Sequence, residues 1–280
     1  MKKILLTGAG GFVGQNLKRG LQDDYALLTP GSFELDLRDA AAVKDFFAGN
    51  EIDFIIHCGS TGGVRGIRDA DTTIEDNLAM VDNLLSAKHG DTRVILFGSG
   101  AMYDRSRSLR KVKEDEIGNY IPAELYGRSK MMIAQNVKDR ADVICLNIFA
   151  CYGFGEKANR FPSYAITQAL KGEDVVINKN VVFDYLWAGD LIRIVRHFMV
   201  HEPRRRLMNV TPTQSCELRE IAEIVKAISG KNISVVCDEG LGREYTGDNG
   251  RLLQEFPELT FTPLQEGLEK LFSFLKEGQK

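Results

Sequence analysis

The chain has 280 residues, of which 44% are hydrophobic and 27% are charged, a composition that argues against disordered and fibrous proteins. Its net charge of -3 argues against a nucleic-acid or membrane-surface partner. Five cysteines without a CxxC pair favour a reduced, cytoplasmic protein. The first apolar run ends at Thr7-Gly8, too soon for a signal peptide, and no run reaches the roughly 18 residues of a membrane span.

Short apolar strands alternate with amphipathic helices in the first half of the chain. The predicted strands are Lys3–Thr7, Tyr25–Leu28, Phe54–Cys58, Val94–Gly98 and Val143–Ile148. The predicted helices are Gly11–Leu21, Ala40–Phe47, Thr72–Lys88 and Leu125–Lys138. Apolar strands separated by helices predict an α/β fold with a doubly wound parallel Rossmann sheet.

The pattern becomes less regular after Ile148. The predicted elements there are a helix near Tyr164–Lys171, a strand or turn at Val175–Asp184, a helix at Asp190–Val200, a strand at Leu207–Thr211, a helix at Cys216–Ile228, a strand at Ile233–Cys237 and a helix at Pro263–Lys276. We therefore expect a Rossmann domain over residues 1–150, to which parts of 181–212 return, and a smaller C-terminal lobe over 151–180 and 213–280.

A glycine-rich loop follows the first predicted strand and opens the first helix. It reads Thr7-Gly8-Ala9-Gly10-Gly11-Phe12-Val13-Gly14, a GxxGxxG spacing in place of the usual GxGxxG. Gly8 permits a tight turn, Gly11 lets the backbone approach a phosphate, and Gly14 lets the helix pack on the sheet. Because a dinucleotide pyrophosphate binds the amides of such a helix N-terminus, the loop predicts a cofactor site. Its residues are Gly8, Gly11, Phe12, Val13 and Gly14.

The end of the second strand bears on which dinucleotide binds. An acidic residue there would bind the ribose 2′-hydroxyl of NAD, but the chain reads Leu28-Thr29-Pro30-Gly31-Ser32. This favours NADP(H), while NAD(H) stays possible because no Arg lies on this loop to bind a 2′-phosphate. Asp36, followed by Leu37, is expected at the end of a short third strand. Its carboxylate either binds the adenine amino group or is a solvated turn residue.

Three side chains suggest acid–base chemistry on a carbonyl group. Tyr126 and Lys130 are four residues apart on a predicted helix and so share one face. A nearby ammonium favours the phenolate of a tyrosine, which suits proton transfer near neutral pH. Ser99 follows a buried strand at the edge of the sheet where ligands bind, and can hold a carbonyl oxygen.

These motifs resemble the extended short-chain dehydrogenase/reductases of the sugar-nucleotide reductase and epimerase group, over essentially the whole chain. Further matches are Ile56-His57, Asn77 with Asn83-Leu84-Leu85, Tyr103, Asn209-Val210-Thr211 and Glu217–Ala222. The first half is most similar to the GDP-L-fucose synthase family, in which Ser, Tyr and Lys carry out NADPH-dependent reduction of a 4-keto sugar nucleotide. The resemblance implies that Lys130 also holds the nicotinamide ribose and that Asn77 supports it. It also implies a homodimer through the helices Thr72–Lys88 and Leu125–Lys138.

Departures from the family pattern narrow the expected reaction. Gly100 and Ala101 stand where dehydratases of the group carry an acidic pair, and Ala101 also stands where the fucose synthase has its epimerising Cys. Phe183 replaces an Arg that usually contacts the substrate diphosphate, and Asn147 and Ala150 replace the family's Arg and Asn. The cations that could substitute for that Arg, or could simply be surface residues, are Arg160, Arg65 and Arg243.

The sequence thus predicts an NAD(P)H-dependent reductase of a keto sugar, most simply a nucleotide-linked 4-keto sugar. Tyr126 would donate the proton, Ser99 would hold the carbonyl oxygen, and Lys130 would assist Tyr126. One alternative is a 4-epimerase that retains NAD; another is a non-enzymatic, cofactor-binding regulatory protein. His197 and His201 share a helix face, but the sequence offers no third ligand, so no metal site is expected.

Overall fold

The computed structural model describes residues 1–64 and 66–278. The strands are β1 (Lys3–Thr7), β2 (Ala26–Leu28), β3 (Phe54–His57), β4 (Arg93–Ser99), β5 (Leu109–Val112), β6 (Val143–Ile148), β7 (Ala150–Tyr152), β8 (Val175–Ile177), β9 (Val182–Phe183), β10 (Tyr185–Trp187), β11 (Leu207–Val210), β12 (Cys216–Glu217), β13 (Val235–Cys237) and β14 (Tyr245–Gly247). The helices are α1 (Phe12–Leu21), α2 (Ala40–Ala48), α3 (Thr73–Ala87), α4 (Leu125–Val137), α5 (Phe161–Lys171), α6 (Ala188–Val200), α7 (Leu218–Ser229), α8 (Gly250–Glu255) and α9 (Leu264–Glu277). Short 3₁₀ helices lie at Gly100–Tyr103 and Glu114–Glu116.

Six parallel strands form the central sheet in the order β11-β6-β4-β3-β1-β2. The chain moves outward from β1 to β2 and then crosses to the other side of β1, so the strand order reverses between β1 and β3. Ligands of open α/β sheets bind at the carboxyl ends of the strands beside such a reversal. The doubly wound parallel sheet predicted from the sequence is confirmed.

Alternate residues of the apolar strands face opposite sides of the sheet. Because the residues on both sides are apolar, helices cover both faces of the sheet. Leu5, Ile55 and Val94 enter the core beneath α2, α3 and α4, whereas Ile4 and Ile56 enter the core shared with α1 and α6. Both cores are almost fully buried. The strands are therefore hydrophobic at most positions on both faces, as parallel sheets require, and the buried Asn147 and Asn209 are hydrogen-bonded exceptions.

A third apolar core lies in the C-terminal part of the chain, where α5, α7 and α9 pack together with the parallel pairs β7–β10 and β8–β13. Beside it runs a four-stranded sheet in the order β12-β9-β14-β5. Its strand β5 comes from the first half of the chain and pairs with β14. This sheet therefore fastens the C-terminal elements to the segment that follows Ser99.

The expected third strand ending at Asp36 is wrong. Residues 31–39 form a looped connection between β2 and α2, in which Asp36 accepts hydrogen bonds from the Arg38 backbone and side chain. Asp39 then caps α2 by accepting from the Ala41 and Ala42 amides. Such Asx hydrogen bonds compete with strand pairing, which accounts for the turn. Within the described residues, no helix combines the length and the apolar character needed to cross a membrane.

Candidate active site

The glycine-rich loop lies tightly against the ends of β1 and β3. Gly8 has a φ of +66°, and a Cβ added there would lie 2.5 Å from the Gly59 amide nitrogen. A Cβ at Gly14 would lie 2.2 Å from the Gly8 carbonyl oxygen. Both glycines are therefore required by close backbone packing, as the sequence predicts.

The first turn of α1 provides free amide donors. No side chain caps the helix at Gly11, and no acidic residue lies in the first turn. The amides of Phe12, Val13 and Gly14 have no acceptor within the helix, because helix geometry leaves its first donors unpaired. A Cβ at Gly10 would meet no atom within 4 Å, so the loop is open on this side. These residues fit a dinucleotide pyrophosphate.

His57 lies at the end of β3 as a buried, neutral side chain. Its Nδ1 is 2.7 Å from Thr7 Oγ1, and burial, aided by the charge of Lys130, lowers its pKa to about 3. Burial also raises the pKa of the neighbouring Cys58 thiol. The imidazole links β1 to β3 by a hydrogen bond, and neither side chain is suited to proton transfer at neutral pH.

Asp36 is held by an arginine that the sequence reasoning overlooked. Arg38 Nε and Nη2 donate to the two carboxylate oxygens of Asp36 at 2.9 and 2.8 Å, and these bonds lower the Asp36 pKa to about 2. Arg38 also lies 3.7 Å from Asp76. The next residue, Leu37, is buried and its carbonyl oxygen accepts from Asn83. Asp36, expected either to bind the adenine amino group or to be a solvated turn residue, is thus a partly exposed loop residue paired with Arg38.

Asn77 is buried and connects α3 to two other parts of the site. Its Oδ1 accepts from the Thr61 amide at 2.8 Å, and its Nδ2 donates to the Thr61 carbonyl and to Ser129 Oγ at 3.1 and 2.9 Å. Ser129 Oγ in turn donates to the Tyr126 carbonyl oxygen at 2.8 Å. Asn77 therefore fixes the loop after β3 and the first turn of α4, and contacts the neighbour of Lys130 rather than Lys130 itself.

Tyr126 and Lys130 lie on one face of α4, as their spacing predicts. The Lys130 ammonium is buried, donates to the Phe97 carbonyl oxygen at 2.9 Å and lies 5.7 Å from the centre of the Tyr126 ring. The Tyr126 amide donates to Asp69 Oδ2 at 2.8 Å. A Cβ at Gly63 would lie 2.8 Å from the Tyr126 ring, so the loop after β3 packs directly on it.

Ser99 ends β4 and begins the 3₁₀ turn against which α4 packs. Its Oγ accepts from the Ala101 amide at 3.2 Å. A Cβ at Gly127 would lie 2.7 Å from the Ala101 carbonyl oxygen, which brings the start of α4 onto the same turn. The structure thus places Ser99, Tyr126 and Lys130 at the carboxyl edge of the sheet, where β4 and α4 meet.

Tyr245, on β14, is a residue of this region that the sequence reasoning missed. Its hydroxyl oxygen lies 2.5 Å from the place that a Cβ at Gly100 would take, and its ring packs against Phe149 and Phe183. Burial raises the pKa of this tyrosine. Nothing in the local sequence marks this tyrosine, because the packing of β14 against β5 and β9 brings it to Gly100, the residue after Ser99.

The candidate substitutes for the missing family Arg lie in different places. Arg160 directly precedes α5 and lowers the pKa of Glu156. Both Arg160 and Arg243 are exposed, and Arg65 lies outside the described residues. Phe183 itself packs its ring 5.8 Å from Tyr245 and 5.4 Å from Tyr185. The position of the family Arg is therefore filled by an aromatic surface.

The two helical histidines do not form a metal site. Their rings stack 4.1 Å apart, and His197 Nε2 lies 3.1 Å from the Glu255 carbonyl oxygen. Throughout residues 1–64 and 66–278, no group of three or more His, Cys, Asp or Glu is arranged to hold a metal ion.

A sequence model of the NAD dependent epimerase/dehydratase family matches residues 4–211, which include the glycine-rich loop, Ser99, Tyr126 and Lys130. The chain belongs to this family. The resemblance to reductases and epimerases of sugar nucleotides is thereby confirmed, and so is the class of enzyme, an NAD(P)-dependent oxidoreductase or epimerase.

Individual relatives agree with this assignment. A probable GDP-L-fucose synthase from Drosophila melanogaster is 24% identical over 308 residues, covering 96% of this chain and 95% of that protein. GDP-L-colitose synthase from Yersinia pseudotuberculosis is 40% identical over 108 residues, so that match spans only 37% of this chain and 35% of the relative.

Two solved structures show the same fold over nearly the whole chain. A GDP-L-fucose synthetase from Naegleria fowleri superposes with a TM-score of 0.84 at 18% identity, covering 99% of this chain and 93% of that one. A GDP-mannoheptose C4 reductase from Campylobacter jejuni, with NADP bound, gives a TM-score of 0.83 at 19% identity and 98% coverage of both chains.

Proposed function

We propose that this protein reduces the 4-keto group of a nucleotide-linked sugar, using NADPH. The observation that carries the proposal is the buried Lys130 ammonium beside Tyr126, at the strand edge that Ser99 ends. Gly100 and Ala101 follow Ser99, so the acid and base of a dehydratase are missing at these positions. A site with one proton donor and one oxyanion donor suits carbonyl reduction.

The bound dinucleotide supplies the hydride for the carbonyl carbon. Tyr126 donates its hydroxyl proton to the ketone oxygen, while the Ser99 hydroxyl donates a hydrogen bond to the same oxygen and fixes its position. Lys130, anchored on the Phe97 carbonyl, stabilises the phenolate left on Tyr126 and holds the nicotinamide ribose. The amides of Phe12, Val13 and Gly14 bind the pyrophosphate.

The preference for NADP(H) rests on Thr29, Pro30, Gly31 and Ser32, which directly follow β2 and include no acid to bind a ribose 2′-hydroxyl. The nearest carboxylate, Glu34, accepts from the Gly31 amide at 2.6 Å and is thus engaged by the loop itself. The NADP bound to the Campylobacter jejuni reductase supports it. Arg38 is the cation nearest in sequence to this loop, and it is already paired with Asp36 and Asp76. Because these ion pairs compete with a 2′-phosphate for the guanidinium, NAD(H) remains the second choice. Titration of the purified protein with NADPH and NADH, followed by nicotinamide fluorescence, measures the preference.

The reductase proposal is tested with NADPH and with GDP- and dTDP-linked 4-keto-6-deoxyhexoses, by the loss of NADPH absorbance. Wild-type protein should consume NADPH, and Tyr126→Phe should reduce kcat by about 10²- to 10⁴-fold because the proton donor is gone. The control is Tyr120→Phe, at a half-exposed tyrosine beside Arg107, which should leave kcat unchanged. Equal rates for wild type and Tyr126→Phe would overturn the mechanism.

The rival 4-epimerase would keep its dinucleotide and show no net cofactor turnover. Purified protein that carries stoichiometric NAD, and that consumes no NADPH with any of these sugars, would favour it. A non-enzymatic regulatory role would be favoured if Tyr126→Phe left the biological function unchanged.

We also propose that residues 151–180 and 213–280 bind the sugar nucleotide and that the protein acts in the cytoplasm as a homodimer. The helices α3 and α4 pack side by side, and Leu78, Leu85 and Met132 on them remain partly exposed. These side chains would meet their counterparts in a second copy. Sedimentation of the purified protein tests the dimer.

A further inference from the structure

The loop after β3 folds around the side chain of Asp69. Its Oδ1 accepts from the Gly63 amide and its Oδ2 accepts from the Tyr126 amide, each at 2.8 Å. Gly62 and Gly63 have φ values of +79° and +71°, and a Cβ at Gly62 would lie 2.7 Å from Asp69 Oδ1. The left-handed backbone of two glycines therefore brings the loop close enough for both hydrogen bonds.

The hydrogen bond to Tyr126 caps helix α4 from outside the helix. Tyr126 is the second residue of α4, and the amides of a first helical turn have no partner within the helix. The residue at the N-cap position, Glu124, makes no side-chain cap hydrogen bond. A carboxylate is also the group that the positive end of a helix dipole favours. Asp69, 57 residues earlier in the chain, thus supplies the acceptor at Tyr126 itself.

The hydrogen bond to Gly63 holds backbone against the Tyr126 ring. A Cβ at Gly63 would lie 2.8 Å from Cδ1 of that ring, so the loop forms a wall on this side of it. The Lys130 ammonium lies 5.7 Å from the ring centre. Because one carboxylate holds both the loop and the start of α4, the wall and the ring keep a fixed separation. The position of the ring in turn decides where the Tyr126 hydroxyl lies.

We propose that Asp69 is a positioning residue for the reduction, whose carboxylate fixes the Tyr126 ring against the Gly63 backbone and so holds the Tyr126 hydroxyl where the substrate carbonyl binds. The inference rests on the proposed function, because it assigns a role within the same site. Asp69 binds two backbone amides and acts through Tyr126, which remains the acid.

The main experiment replaces Asp69 by Ala and measures kcat and KM on a 4-keto sugar that the wild-type protein reduces. Displacement of a reacting group by about 1 Å can cost about 10²-fold in rate, so kcat should fall about 10- to 100-fold. KM and the Kd of NADPH should change less than about twofold, because the amides that bind the pyrophosphate lie on α1. The control is Asp71→Ala, two residues further along, where the side chain is 86% exposed and pairs with the exposed Arg68. This variant should leave kcat unchanged.

A double-mutant cycle with Tyr126→Phe distinguishes positioning from general support of the fold. In Tyr126→Phe no acid is left to position, so adding Asp69→Ala should cause no further loss of the residual kcat. An equal loss in both backgrounds, or an unchanged kcat in Asp69→Ala, would overturn the proposal. If Asp69→Ala does not fold, Asp69→Asn enters the same cycle. Its amide group keeps one of the two acceptor oxygens, so a smaller loss of kcat is expected, again absent in the Tyr126→Phe background.

A measurement without substrate separates this inference from the proposed function. In NMR spectra, Asp69→Ala should speed hydrogen exchange at the Gly63 and Tyr126 amides and shift the ring signals of Tyr126, which are assigned by their loss in Tyr126→Phe. Asp71→Ala should do neither. If wild-type protein reduces none of the sugars, the reductase proposal fails, and these spectra still decide whether Asp69 holds the ring. Unchanged exchange and unchanged ring signals in Asp69→Ala would show that it does not, whatever reaction the protein catalyses.

Discussion

Glu156 is a buried acid whose charge changes in the neutral pH range. Only 9% of the residue is exposed, and its Oε1 accepts from the Ser163 amide at 3.0 Å. Burial raises its pKa from 4.5 to about 7, although the Ser163 bonds and the cation Arg160 act in the opposite direction. The unfolded chain ionises this group near its ordinary pKa, whereas the folded protein resists ionisation until near pH 7.

This difference predicts that Glu156 destabilises the protein as pH rises. The stability that the protonated Glu156 contributes is fully retained below about pH 4.5. It is lost progressively between about pH 4.5 and about pH 7, because the unfolded state releases the proton first. Glu156→Gln cannot ionise, so its free energy of unfolding should rise relative to that of wild type over this pH range, by at most about 3 kcal/mol. Thermal unfolding from pH 4 to pH 8 measures it.

The control for this prediction is Glu51→Gln, at an exposed surface position. Its unfolding curves should track those of wild type at every pH. Parallel curves for Glu156→Gln and wild type would contradict a buried, titrating carboxyl at position 156.

The site residues that can be predicted from the sequence are those identified by their spacing within a short segment. Tyr126 and Lys130 are one helical turn apart, and Ser99 directly follows an apolar strand, so short windows suffice to find them. Tyr245 and Arg38 could not be found in this way. Tyr245 reaches Gly100, next to Ser99, through strand pairing between distant segments, and the role of Arg38 depends on its contacts with Asp36 and Asp76.

The connection from β1 to α1 is the element on which cofactor binding depends, and it has little room for added atoms. Gly14→Ala would place a methyl group 2.2 Å from the Gly8 carbonyl oxygen, so the helix must move off the loop. We expect a loss of about 1–3 kcal/mol in the free energy of unfolding, typical of overpacking, and weaker NADPH binding. Thermal unfolding and nicotinamide fluorescence measure the two effects.

Gly10→Ala is the matched control in the same loop, because a Cβ there meets no atom within 4 Å. Its unfolding free energy should stay within about 0.5 kcal/mol of wild type. Equal stability of Gly14→Ala and Gly10→Ala would mean that the loop and helix are not packed as described.

At the scale of elements, periodicity predicts what is long and apolar. The predicted bounds of β1 and β6 agree with the structure, those of α1, α2 and α4 differ by one residue at one end, and those of α3 differ by one residue at each end. The strands β5 and β14 and the helix α8 were missed, since each is short and forms against partners distant in sequence. The expected strand or turn at Val175–Asp184 divides into β8 and β9, because a bend at Asn178 and Lys179 separates strands that belong to different sheets.

For the whole molecule, the junction between the central sheet and the C-terminal elements depends on one buried carboxylate. Asp184 is fully buried and accepts from Lys111 Nζ at 3.1 and 3.3 Å, from Ser215 Oγ at 2.6 Å and from the Gly247 amide at 2.9 Å. Lys111 is on β5 and has a φ of +43°, a strained value for a non-glycine residue. Gly247 is on β14, two residues after Tyr245, so this network sets where the tyrosine lies.

Asp184→Asn should loosen this junction while leaving the central sheet intact. An amide keeps the shape but loses the charge that pairs with Lys111, and its NH₂ group cannot accept from Gly247 or Ser215. We expect a loss of roughly 3 kcal/mol, since the Lys111 ammonium, the Ser215 hydroxyl and the buried Gly247 amide all lose part of a fully buried acceptor. Hydrogen exchange should quicken in β5 and β14 and stay unchanged in β1, β3 and β4.

The exposed pair Arg68–Asp71 provides the control, Asp71→Asn, which should change neither stability nor exchange. Faster exchange throughout the chain would instead show that the two parts unfold as one unit, in which case Asp184 stabilises the whole protein rather than the placement of β14.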